Sequence, residues 1–308
     1  MIPFVDQHET STTEIETSMS LSKPRVSIGV PVRNGERYLA EALDSLLSQS
    51  YSDFELIISD NASSDGTEAI CREYAARDRR VRYYRSPEDV GLANNFNFLF
   101  IRARGEYFKW AAADDVHQPD WIARCLAVLD QDPTVVLVYA RARFIDENGQ
   151  PLGDVDPGFN LQSELARERL RYVIYANSWV NAIFGMVRTE ALAKTRLLPN
   201  YPGGDYPLLA ELALEGKFVE VPEPLFLRRL HPDASSQNVH DVEYMVRLWS
   251  ASGHKTFPTW NRSRDNFITI MHSKLSAGEK LSLSGSLLRV MVTARWTLLN
   301  ELKAGLKA

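Results

Sequence analysis

Arg25-Val-Ser-Ile-Gly-Val-Pro-Val32, the turn Arg33-Asn34-Gly35, the segment Glu36 to Gln49 and Phe54-Glu-Leu-Ile-Ile-Ser-Asp60 together decide the fold of this chain. The first and last are apolar runs of strand length, and Leu39, Leu43, Leu46 and Leu47 recur between them at helical spacing. Asn34-Gly35 is a turn signal that separates the first strand from the helix. A strand, a helix and a second strand in close succession make a βαβ unit, whose two strands run parallel.

The same alternation continues outward. Ser64 or Asp65 caps a helix from Gly66 to Arg77, Val81-Arg-Tyr-Tyr-Arg85 is a strand, and a helix follows from about Leu92 to Arg102. Tyr107 to Ala113 reads as a buried strand, and Pro119 to Asp130 as the next helix. The fold class is therefore α/β, a Rossmann-like and mostly parallel sheet flanked by helices. Ligands of such sheets bind beyond the carboxyl ends of the strands. Asp60 and the pair Asp114-Asp115 all fall at such ends. Two adjacent acids repel each other unless a cation or a donor network offsets them, so a divalent metal holding a phosphate is expected at Asp114-Asp115.

Beyond residue 134 the pattern changes. Val135 to Tyr139 and Ala142 to Asp146 read as neighbouring strands, followed by a loop from Glu147 to Phe159 and a helix from Leu161 to Tyr175. Trp179 to Val187 is an apolar stretch, Pro207 to Glu215 a helix, and Phe218 to Val221 a strand ended by Pro222-Glu-Pro224. From Val239 the tail is mostly helical. Near its end, Leu287, Leu288, Met291, Ala294, Leu298 and Leu302 share a face, accompanied by Arg289, Arg295, Trp296, Lys303 and Lys307. Packing on its own domain, a homo-oligomer contact and a membrane surface all suit such a helix. The expected organisation is a disordered leader over 1–23, one domain over 24–236 and a helical extension over 237–308.

With 308 residues, 44% apolar and 24% charged, the chain has the composition of a globular enzyme. Its net charge of −5 argues against nucleic acid as a partner, because backbone binders carry a basic stripe. Cys71 and Cys125 lack metal-type spacing and read as packed thiols. No signal-peptide pattern and no apolar run of roughly 18 residues is present, so the expected setting is cytoplasmic, with a peripheral place on the inner membrane face open to the tail.

Four stretches together resemble the family 2 glycosyltransferases, which have the GT-A fold. They are Val30-Pro-Val-Arg-Asn-Gly-Glu-Arg-Tyr38, Ile58-Ser-Asp-Asn-Ala-Ser-Ser-Asp-Gly-Thr67, Gly105-Glu-Tyr-Phe-Lys-Trp110 with Asp114-Asp115, and Gly204-Asp205-Tyr206. The resemblance spans about Pro24 to Ser236 and rests on their order and intervals. It implies an inverting transferase that moves a sugar from a nucleotide-diphosphate donor, usually UDP-linked, to a hydroxyl of a saccharide or lipid-linked saccharide, as in cell-surface polysaccharide synthesis.

The resemblance also assigns roles. Asp60 contacts the nucleotide base, with Pro31, Val32, Arg33, Asn34, Glu36 and Asn61 around it, and Gly91 and Asn95 open the helix before the acid pair. Asp114 and Asp115 match a motif whose first acid is replaced here by Ala112. One of them, with Asp115 favoured, holds Mn²⁺ or Mg²⁺, and the other meets the ribose or a second metal position. Asp205 is the catalytic base, and Gly204 stands where a glutamate is common. His231, in Arg228-Arg-Leu-His-Pro232, completes the metal shell, with Arg229 or Arg228 on the diphosphate. Trp110 and Trp121 read as core. Two rivals stay open at this stage: a nucleotidyltransferase, which would want a glycine-rich phosphate loop, and a catalytically silent scaffold protein.

Overall fold

A computed structural model describes residues 5–6, 23–154, 160–176, 181–234, 237–238, 241–249 and 257–306. One 10-stranded sheet runs through it. In chain order its elements are β1 (Val5–Asp6), β2 (Val26–Val32), α1 (Leu39–Leu47), β3 (Phe54–Asp60), α2 (Thr67–Arg77), β4 (Val81–Arg85), α3 (Leu92–Arg102), β5 (Tyr107–Trp110), β6 (Val116–His117), α4 (Trp121–Gln131), β7 (Val135–Ile145) and β8 (Pro151–Asp154). Then come α5 (Ala166–Tyr175), a 3₁₀ turn over Asn181–Phe184, β9 (Met186–Arg188), α6 (Thr189–Leu192), α7 (Asp205–Glu215) and β10 (Lys217–Arg229). The tail supplies α8 (Val242–Trp249), α9 (Pro258–His272), α10 (Ala277–Thr293) and α11 (Arg295–Leu306).

The strand order β1-β4-β3-β2-β5-β9-β7-β10-β6 is parallel from β4 through β3 and β2 to β5, as the βαβ pattern required. Val26, Ile28, Val30 and Val32 turn one way from β2 into a core with α1, α2 and α4. Ile57, Phe108, Trp110 and Leu137 turn the other way, against α3, α5 and α7. This alternation is why the strands read as near-continuous apolar runs: both faces are covered.

Antiparallel β9 joins the two parallel blocks, pairing with β5 and with β7. The expected strands over 135–139 and 142–146 are the single strand β7. The expected strand end at Pro222 is also corrected, since β10 continues to Arg229. The two prolines fall within a register shift between Val221 and Phe226, where their missing N–H breaks no ladder bond. That continuation matters for function, because it carries Arg228 and Arg229 to the acid pair.

Val5–Asp6, inside the segment expected as a leader, pairs antiparallel with β4. The remainder of that segment, apart from Lys23, lies outside the described residues. Helices α9 and α10 pack on α7 and α5, so the tail covers the face of the domain that carries α7. Among the described residues, no helix is long and apolar enough to cross a membrane.

Candidate active site

The loops after β2 and β3 are stitched into one rim. The Asn34 backbone N–H donates to Ser63 Oγ at 2.9 Å, and Asn34 Oδ1 accepts from the Ser64 N–H at 2.9 Å. The Gly35 N–H donates to Thr67 Oγ1 at 2.8 Å, and Glu36 Oε2 accepts from the Gly66 N–H at 2.6 Å. Arg33 is exposed on this rim and pairs with Asp89 at 3.3 Å. Asn61 spans the loop behind, donating to Asp89 Oδ1 and accepting from the Val90 N–H. Pro31 and Val32 are buried beneath.

Asp60 is fully buried. Its Oδ1 accepts from the Ser63 N–H at 2.9 Å, and its Oδ2 accepts from Tyr83 Oη at 3.0 Å and Arg85 Nε at 3.2 Å. A carboxylate with both oxygens engaged and no exposed surface frames a loop. Asn95 is likewise buried and bound to Ser59, with Oδ1 accepting from its hydroxyl at 2.5 Å. It locks α3 onto β3 and does not face the cleft.

The acids of the other rim are placed by β6. Its antiparallel pairing of Val116 with Leu227 and His117 with Phe226 runs the preceding residues alongside the end of β10. Asp115 Oδ1 accepts from the Arg229 N–H at 2.8 Å. His231 Nε2 sits 3.0 Å from Asp114 Oδ2. Asp115 is only 4% exposed, whereas the Asp114 side chain is 32% exposed. Burial, then the neighbouring Asp114, push the Asp115 carboxyl up to about 8. Arg228, the Arg229 N–H and Lys109 oppose that rise.

Arg228 and Arg229 are adjacent on a strand and point to opposite faces. Arg229 is buried: its guanidinium donates to the Asp114 carbonyl at 2.9 Å and to Glu41 Oε2 at 2.6 Å, and it lies over the Tyr38 ring. These contacts make Arg229 a spoke that ties β10 to α1 and to the acid pair. Arg228 is the one among the acids. Desolvation lowers its guanidinium, while Asp115, Asp114 and Asp205 hold it charged, and it donates to Asn181 Oδ1 at 2.5 Å.

Asp205 opens α7 after a glycine turn in which Gly203 has φ +84°. Gly204 approaches the chain closely: a Cβ there would stand 2.6 Å from the Pro199 carbonyl oxygen. That contact is a physical reason for the missing glutamate. The Asp205 carboxyl is raised above its ordinary range by burial, with Arg262 and then Arg228 opposing. Arg262 comes from α9, and its guanidinium lies 3.8 Å over the Tyr206 ring.

Residues 27–196 match the model of the family described as Glycosyl transferase family 2. The chain belongs to this family. A glycosyltransferase of Rickettsia typhi, itself uncharacterised, is 36% identical over 135 residues, which cover 44% of this chain and 41% of that protein. The chain thus spans less than half the length of that relative. The S. aureus TarS 1–349 structure in complex with UDP-GlcNAc superposes with a TM-score of 0.69 at 15% identity, covering 90% of this chain and 79% of that one. The mannosyltransferase PcManGT of Pyrobaculum calidifontis, in complex with GDP-Man and Mn²⁺, gives 0.56 at 17% identity, over 92% and 74%. At these identities the likeness establishes the fold, which is GT-A.

In this glycosyltransferase β6, β10 and α7 bring the acid pair, His231, Arg228 and Asp205 into one neighbourhood, in which Arg228 is electrostatically coupled to Asp115, Asp114 and Asp205. Arg262 is the residue that sequence reasoning missed there. It lies in the tail, outside the span of the resemblance, and a lone arginine in a helix carries no local signal.

Proposed function

We propose that the chain is an inverting, metal-dependent glycosyltransferase that takes its sugar from a nucleotide-diphosphate donor, UDP-linked by analogy with the TarS complex. One observation carries the reading: Arg228 is electrostatically coupled to Asp205 and to Asp114, and Asp114 itself faces His231 at 3.0 Å. A proton acceptor and a charge-binding cluster linked through one cation suit in-line displacement. Asp205 takes the proton of the acceptor hydroxyl as that oxygen attacks the anomeric carbon from the face opposite the leaving diphosphate. Its raised affinity for a proton strengthens it as a base. Arg228 offsets charge on the departing phosphates.

The residues fit a hard divalent cation. The carboxylate of Asp114 and the imidazole of His231, 3.0 Å apart, are a donor pair that Mn²⁺ or Mg²⁺ could share. Asp114 and His231 would hold the ion, with Asp115 behind them as a buried partner, which reverses the preference for Asp115. Among the described residues no cluster of three or more His, Cys, Asp or Glu could hold a metal by itself. When bound, the ion supplies Lewis-acid stabilisation of the leaving group.

A saccharide or lipid-linked saccharide is the proposed acceptor, in cell-surface polysaccharide synthesis, with the chain resting on the inner membrane face through α10 and α11. The reading is tested by incubating the protein with UDP- and GDP-sugars and Mn²⁺, following nucleoside diphosphate release and the thermal shift. Release without the metal, or none with any donor, would overturn it.

A further inference from the structure

A cavity of about 600 Å³ lies between the catalytic turn and the tail helices. Tyr175 of α5, Gly203 of the turn, Arg262 and Asn266 of α9, and Arg289 and Met291 of α10 line it. Its described lining contains two arginines and no acid. Gly203 is two residues before Asp205, so the cavity opens beside the proposed base.

Three features of this lining point to an occupant. Arg262 directs one N–H to the Ala176 carbonyl at 2.8 Å and packs its face on Tyr206. Arg289 hydrogen-bonds the Tyr175 side chain and Arg262 is drawn electrostatically to Asp205, which together leave part of each five-donor fork for an occupant. Asn266 is 2% exposed, yet its Oδ1 has no hydrogen-bond partner among the described residues. A buried acceptor without a donor is costly, and native folds keep few of them.

We propose that this cavity is an acceptor subsite that binds an oxyanion, phosphate or carboxylate, together with a neighbouring hydroxyl. The anion takes the guanidinium N–H groups of Arg262 and Arg289, and the hydroxyl donates to Asn266 Oδ1. Leu287, Val290 and Met291 supply an apolar wall for the remainder of the acceptor. The subsite rests on the glycosyl-transfer reading, since Asp205 needs an acceptor hydroxyl brought to it. A charged acceptor held by two forks is oriented as well as attracted. Arg262 thereby serves two tasks, facing both Asp205 and the acceptor's charge.

The test uses matched probes on the full chain saturated with UDP and Mn²⁺: glycerol 3-phosphate, glycerate and neutral glycerol, titrated by calorimetry. Binding of either anion in preference to glycerol is expected, and the two anions tell phosphate from carboxylate. Arg289→Glu, at an exposed position, and Arg262→Lys, which keeps the charge and removes the fork, should each weaken the anion roughly tenfold or more, the loss typical of a charge-assisted hydrogen bond. Melting curves verify that both variants are folded. No binding of either anion, equal binding of glycerol, or undiminished binding to Arg289→Glu would overturn the subsite. Failure of UDP itself to bind would instead count against the transfer reading, and the probes would then be titrated into the unliganded protein.

Discussion

His231 Nε2 lies 3.0 Å from Asp114 Oδ2, although the two are 117 positions apart in sequence. The contact exists because β10 runs past its prolines to Arg229 and β6 pairs back onto it. The Tyr38 ring, its centroid 4.8 Å from that of the imidazole, fixes the imidazole from the other side. His231→Ala is expected to lower apparent Mn²⁺ affinity roughly tenfold or more, on the scale of losses seen when groups around a metal are removed. UDP titrations at several Mn²⁺ concentrations measure this. An unchanged metal dependence would remove His231 from the site.

Asp205→Asn is expected to cut turnover by about 10²–10⁴, the usual contribution of a general base, while leaving UDP binding near the parent value. The pH dependence has a definite sign. Burial raises the Asp205 carboxyl, so its proton is lost at higher pH than that of an ordinary aspartate. The base is inactive when protonated, so kcat should fall as pH drops through that raised value. The acid limb should therefore stand above the normal carboxylate range, and should vanish from whatever activity the variant retains. A limb that persists in Asp205→Asn belongs to another group.

Much of this arrangement was legible because it is periodic or local. The parallel half of the sheet followed from apolar runs around α1, and the acids from their places at strand ends. Roles set by burial were not legible. Asp60 and Asn95 carry the expected letters at the expected intervals, yet both are turned inward and used by the fold. Arg228 and Arg229 are neighbours in sequence, and only the strand's two-residue alternation separates a cleft cation from a buried spoke. Arg262 depends on how α9 docks, which no short motif encodes.

Gly204 supplies a test of backbone fit. A Cβ at this position meets the Pro199 carbonyl oxygen at 2.6 Å and its ring at 3.0 Å. Gly204→Glu, which would restore the commoner acid pair, is therefore expected to destabilise the chain by about 1–3 kcal/mol, the range for overpacking. Denaturant unfolding measures it. A neutral or stabilising result would mean the turn relaxes freely and that the missing glutamate has another cause.

Lys109 is fully buried on β5, its ammonium nitrogen 2.7 Å from His117 Nε2 and 3.8 Å over the Trp121 ring. Burial lowers it from 10.5 to about 7. Between those values the unfolded chain holds a proton that the folded chain has released, so this group makes native stability rise with pH, by at most about 1.4 kcal/mol per pH unit. Lys109→Met removes that dependence. Its melting temperature relative to the parent should be most favourable near pH 6 and should decline steadily toward pH 10. A difference that does not vary with pH would show that Lys109 keeps its charge when folded.

Leu281, Leu288, Val292, Trp296, Leu299 and Leu302 follow one another at intervals of seven, four, four, three and three along α10 and α11, and all six are exposed. The opposite side of the same helices buries Leu283, Leu287 and Leu298, so apolar residues occupy both sides. A helix that is apolar on two sides needs a second cover. Lys280, Arg289, Arg295 and Lys303 flank the outer stripe against two acids, Glu279 and Glu301, in a chain whose net charge is −5. Local positive charge beside exposed Leu and Trp suits an anionic lipid surface better than a second copy of the same basic face. The protein is expected to float with vesicles containing phosphatidylglycerol, to float less with phosphatidylcholine alone, and to stay behind when Leu288 and Trp296 are both changed to Glu. If light scattering instead shows a dimer that the double variant dissolves, with no flotation by either protein, the stripe is a subunit contact and the membrane assignment fails.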